Sequence, residues 1–197
     1  LRHFNYKINF AKLWALVTGN VFWKEWWNKN LFGYVEGPGG KPVKESGDVD
    51  YNWVNPFNVR PDPHGMTREE WRWFIEGKLV PKSSLEDEFG IPRGKLPEQS
   101  IRAVETGLFQ RPGTKKPKEE MIIRKERWER PSKNYPKGRF SVTAGGWLLW
   151  DGESPAPDGD IPYFHLMGVM PILGEQVGES AVKMGQAAQR QFNKLAS

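Results

Sequence analysis

The stretch Glu179-Ser180-Ala181-Val182-Lys183-Met184-Gly185-Gln186-Ala187-Ala188-Gln189-Arg190-Gln191-Phe192-Asn193-Lys194-Leu195-Ala196-Ser197 decides how the rest of the chain is read. It holds no Pro and a single Gly, so nothing breaks a helix along it. At 100° per residue, Ala181, Met184, Ala188, Phe192 and Leu195 share one face. Lys183, Arg190 and Lys194 form a separate stripe at spacings of seven and four. About twenty helical residues already span roughly 30 Å, and no stop signal follows the last periodic position. The expectation is the root of a longer helix in a chain that is a piece of a larger protein. The opening Leu1-Arg2-His3 agrees, being neither an initiator methionine nor a signal peptide.

Working back from that helix, the body reads as mixed. Phe4, Ile8, Ala11, Leu13, Trp14 and Val17 predict a helix over 3–18, ended by Gly19-Asn20. The β-formers of Val21–Trp27 predict a strand, with Leu31–Glu36 as its partner and Gly37-Pro38-Gly39-Gly40 as a loop tip. Val49, Tyr51 and Trp53 alternate with Asp48, Asp50 and Asn52, the pattern of a half-wet strand that Pro56 stops. Thr67 and Glu70 resemble a capping box before a strand through Val80. Ser83 or Ser84 caps a short helix ending at Gly90, and Pro97 opens another to about Thr106. Residues 110–118 read as an exposed Lys-rich loop, and 151–160 as an acidic, Pro-rich one. Met121–Trp128, Arg139–Thr143 and Trp147–Trp150 are strands, the last two joined by Gly145-Gly146. The fold class is α+β with largely antiparallel sheet, several short helices and a long C-terminal helix. Residues 1–175 form the body and 176–197 the emerging helix.

Composition narrows the chemistry. The chain has 197 residues, a net charge of +5 and no cysteine. Disulfides and thiolate chemistry are excluded, and no apolar run is long enough for a transmembrane helix. His3, His64 and His165 lie far apart without the spacing of a zinc site. Asp48 with Asp50, and Asp158 with Asp160, read as solvated pairs. There is no phosphate loop and no GxSxG elbow. Neither a catalytic residue nor a metal or cofactor site emerges. Lys115-Lys116-Pro117-Lys118 reads as a solubility loop, whereas the ordered stripe Lys183, Arg190 and Lys194 suits weak, sequence-independent contact with DNA phosphates or a neighbouring subunit. Ten tryptophans stand out. Trp26, Trp27, Trp71 and Trp73, set beside charges, are candidate interface aromatics.

Several segments, taken in order, resemble the wing and stem of tailed-bacteriophage portal proteins. They are the helix running into Thr18-Gly19-Asn20-Val21-Phe22-Trp23-Lys24, then Gly47-Asp48-Val49 leading to Trp53-Val54-Asn55-Pro56-Phe57-Asn58-Val59-Arg60-Pro61-Asp62-Pro63. Ser84-Leu85-Glu86-Asp87-Glu88-Phe89-Gly90, Glu126-Arg127-Trp128, Lys137-Gly138-Arg139 and Gly159-Asp160-Ile161-Pro162-Tyr163 follow. Gly178-x-Ser180-x-Val182, with Gln189, Asn193 and Ser197, closes the series. The resemblance implies a wing with a small SH3-like barrel, then the start of a stem helix. It also implies a homo-oligomeric ring, usually of twelve, at a capsid vertex of the virion, assembled in the host cytoplasm. Its expected partners are terminase, capsid and head-tail adaptor proteins, with double-stranded DNA in the tunnel and no membrane. A portal is a passive conduit, without catalysis or cofactor. An alternative reading is a carbohydrate-binding β module with Trp platforms, which the long C-terminal helix opposes.

Overall fold

A computed structural model describes residues 4–37, 39–97, 120–167, 170–172 and 175–196. The predicted Pro97–Thr106 helix (beyond Pro97) and the 110–118 loop lie outside the described residues. By internal contacts the chain forms two units. One comprises Leu1–Phe57, Pro63–Trp71 and Pro162–Ser197, the other Asn58–Asp62 and Arg72–Ile161. The α+β class is as read from sequence, with antiparallel sheets and a C-terminal helix.

In the first unit, α1 (Phe4–Thr18) ends where Gly19 turns to φ +80°, its N–H bonded to the Ala15 carbonyl. Strand β1 (Asn20–Glu36) follows and pairs antiparallel with β2 (Pro42–Val54). Here the expected pairing is corrected: 21–27 and 31–36 are one strand rather than partners. An irregularity between Asn28 and Phe32 interrupts the alternation that would have shown continuity. Gly37–Gly40 is the turn to the true partner, β2. Strand β8 (Tyr163–Met167), which the sequence reading missed, pairs with the other edge of β1 from Asn20 to Lys24 only. Beyond Lys24, β1 and β2 continue as a two-stranded arm.

Aromatic rings hold α1 on this sheet. Trp53 of β2 stacks with Phe10 at 5.9 Å and with Trp14 at 5.7 Å, and Trp14 meets Phe57 edge-on. Lys7 reaches Asp50 at 3.3 Å and donates to the Tyr51 carbonyl. Val21, Phe22, Val54, Trp71 and Tyr163 are buried nearby. Large indoles thus fill a small core, and this accounts for part of the Trp excess.

The second unit is a five-stranded antiparallel sheet in the order β3-β4-β5-β6-β7. Its strands are β3 (Val59–Pro61), β4 (Trp73–Pro81), β5 (Met121–Glu129), β6 (Arg139–Ala144) and β7 (Trp147–Glu153). Gly145 (φ +56°) and Gly146 (φ +85°) supply the two left-handed residues that a two-residue hairpin requires. The sheet is open, with β3 and β7 at its edges, so the expected barrel is not closed among the described residues. Helix α2 (Lys82–Glu88) starts ahead of the serines read as its cap and contributes Leu85 to a core with Leu96, Ile122 and Ala144. Asp62 is fully buried where the 63–71 excursion leaves this unit, and Arg72, where it returns, grips it bidentately at 2.6 and 3.2 Å. That pair raises the Arg72 guanidinium above its ordinary pKa, chiefly through the hydrogen bond to Asp62.

Candidate functional site

The C-terminal helix, α3 (Ala181–Ala196), carries the candidate site. Its start is well built. Ser180 caps it, Oγ accepting the Lys183 N–H at 2.9 Å. Glu179 pairs with Lys183 at 2.8 Å, and that hydrogen bond and charge raise the Lys183 ammonium above its ordinary value.

From Val182 to Leu195 every residue is exposed. Met184 is 49 % exposed, Phe192 66 % and Leu195 89 %, so the apolar face opens increasingly to solvent toward the C-terminal end of the helix. The basic stripe sits roughly 140° around the helix from the centre of that face, at 100° per residue. The helix has no acidic residue. Anything that covers the apolar face leaves Arg190 and Lys194 turned away from the cover. Lys183 is partly committed to Glu179.

The four candidate aromatics separate. Trp71 is 1 % exposed and lies tilted against Phe22 and His165, ring centroids 6.2 Å from each, so it packs the core of its unit rather than offering an interface. Trp73 is half-buried beneath the Arg127 guanidinium, 5.4 Å from its ring. Trp26 is half-buried, in register with Asp50. Only Trp27 presents a broad surface, 57 % exposed, with its indole laid over Gly47. Trp147 and Trp150 on β7, which were read simply as strand residues, are also exposed.

A shallow cleft of about 300 Å³ lies between Lys82, Ser83, Glu86, Arg93, Gly94 and Glu120. Its buried carboxylate already works for the fold, since Glu86 accepts from the backbone N–H of Gly94 at 2.9 Å and of Leu96 at 3.4 Å. Lys82 pairs with Glu120 at 3.2 Å and Arg93 with Asp87 at 2.7 Å. Among the described residues, no three His, Cys, Asp or Glu side chains converge as metal ligands. No described helix is long and apolar enough to cross a membrane.

Sequence reasoning found both stripes of α3 but missed its root. Gly178, in the short strand β10 (Gly178–Glu179) opposite β9 (Met170–Pro171), bonds to the side chain of Asn20, 158 positions away. No local pattern signals a pairing at that separation.

No known protein family matches this chain, and neither does any curated protein sequence.

Proposed function

We propose that the chain is the wing and beginning of the stem of a phage portal subunit, a structural element of a ring through which double-stranded DNA passes. The observation that carries this reading is α3, exposed along its length, with an apolar face and a basic stripe on nearly opposite sides. An apolar helical stripe needs company in water, and identical neighbours around a closed axis supply it by heterologous contacts. The stripe formed by Lys183, Arg190 and Lys194 then faces away from that contact. Three basic side chains on one helix face, Lys183 among them shared with Glu179, give at most a weak phosphate contact, which suits a polymer that must slide.

The test uses protein expressed from its complete reading frame. Electron microscopy is expected to show closed rings. Replacing Lys183, Arg190 and Lys194 with Gln should leave rings intact and lower the slope of log affinity for DNA against log salt by up to about 2.7, at roughly 0.9 per phosphate contact. A strictly monomeric protein, or an unchanged salt slope, would remove the reading.

The exposed indoles of Trp27, Trp147 and Trp150 favour a second reading, a glycan-binding surface. Titration with a glycan panel, followed by tryptophan fluorescence, separates the two. A saturable shift abolished by Trp27→Ala would support the sugar binder.

A further inference from the structure

We propose that Asn20 is the pin that fixes the direction of α3 relative to the sheet of its own unit. Its side chain is buried, with 6 % exposure, at the point where α1 ends and β1 begins. Oδ1 accepts the Gly178 N–H at 2.9 Å, and Nδ2 donates to the Gly178 carbonyl at 3.4 Å. The amide therefore pairs with both backbone groups of one residue, as a neighbouring strand would. Nδ2 also donates to the Thr18 carbonyl at 3.4 Å, and Oδ1 lies 2.9 Å from His165 Nε2. An asparagine side chain offers two donor and two acceptor sites, and here all four are used. This saturation allows one orientation of the amide and no other, because a flipped amide would set donor against donor and acceptor against acceptor at Gly178. It also assigns the histidine tautomer: since Oδ1 is the acceptor, Nε2 carries the hydrogen.

Two further features make the pin stiff. Gly19 holds φ +80° directly against Gly178, and a Cβ at position 19 would run into the Gly178 carbonyl. The His165 ring stacks on Phe22 at 4.6 Å and 10°, so the donor that locks Asn20 is itself held in place. Only Glu179 and Ser180 separate Gly178 from the first residue of α3, and Ser180 is the cap. Rotation at Asn20 is thus passed to the helix with little slack. The pin acts within a single chain, whether or not copies assemble into a ring.

The chain has no cysteine, so Asn52→Cys on β2 and Gln186→Cys on α3, both exposed positions, accept spin labels without competition. Double electron–electron resonance on the labelled protein should give one narrow distance distribution. Asn20→Leu, with the same branching and number of heavy atoms but without the four bonds, should broaden and displace it while circular dichroism shows α3 still helical. An unchanged narrow distribution in Asn20→Leu, or a broad one in the parent, would overturn the proposal. Should Asn20→Leu fail to fold, His165→Phe carries the test. It keeps the stacking on Phe22 and deletes only the locking donor, so a broader distribution is expected and an unaltered one refutes the pin.

Discussion

The two units of this chain treat their apolar residues in opposite ways. Among the described residues, every exposed large hydrophobic side chain except Trp147, Leu148 and Trp150 belongs to the first unit. The second unit buries Phe74, Leu85, Leu96, Ile122 and Val142 almost completely and lays charge across its sheet. There Glu129 receives Arg127 at 2.9 Å and Arg139 at 3.5 Å, and Arg139 grips Asp151 at 2.7 Å. That bidentate bond lowers the Asp151 carboxyl and raises the Arg139 guanidinium. The first unit is held by stacked rings instead and leaves Leu13, Leu16, Val17, Phe192 and Leu195 in water. The second unit covers most of its own apolar surface, whereas the first leaves the apolar face of a helix largely open to solvent.

The contrast breaks most easily at the buried end. Phe74 is wholly buried in the second unit, and Phe74→Ala should cost about 3–5 kcal/mol in urea unfolding. A loss under about 1 kcal/mol would mean that this core is not what holds the unit. A smaller effect separates the units by pH. Burial holds the His165 imidazole below its ordinary value, and all three histidines of the chain lie outside the second unit's residues. The unfolded chain takes up the proton from about pH 6.5 downward, while the fold resists it. The stability of the first unit is therefore fully present above that pH and falls as the pH drops toward the folded value. The slope is no steeper than about 1.4 kcal/mol per pH unit for one proton. Urea midpoints between pH 8 and 5 should show this slope, and His165→Gln should flatten it. The smallest effect sharpens the contrast furthest. Phe192→Ser with Leu195→Ser should change unfolding by no more than about 0.5 kcal/mol, because both side chains are already exposed. The same double variant should lose self-association in sedimentation. Unaltered assembly would free α3 from its proposed role.

Much of this could be read from sequence wherever the signal is local. The 3.6-residue period of α1 and α3, the alternation of Val49, Tyr51 and Trp53, and the Gly145-Gly146 hairpin all depend on near neighbours. What failed was partner choice. Strand β1 pairs across Gly37–Gly40 rather than within itself, and its irregularity at Asn28–Phe32 hid a strand of 17 residues. Strand β8 is five residues between prolines, and its identity is set by a free edge of β1 far away in sequence. The stripes of α3 were visible as spacing. Trp71, flanked by charges in sequence, turned out to be core because burial depends on what packs above it, which no spacing records. The Asn20 root was invisible for the same reason.

The β1–β2 arm has a consequence for how the molecule breathes. Past Glu25, whose N–H still donates to the Pro162 carbonyl at 3.0 Å, these two strands pair as strands only with each other among the described residues, down to the Glu36–Pro42 pair by the turn. A ribbon of two strands is marginal in water. Amide protons should therefore exchange fastest near Gly37–Gly40 and progressively more slowly toward Lys24, where β8 joins. The gradient would make the arm unzip from its tip while the three-stranded base stays closed.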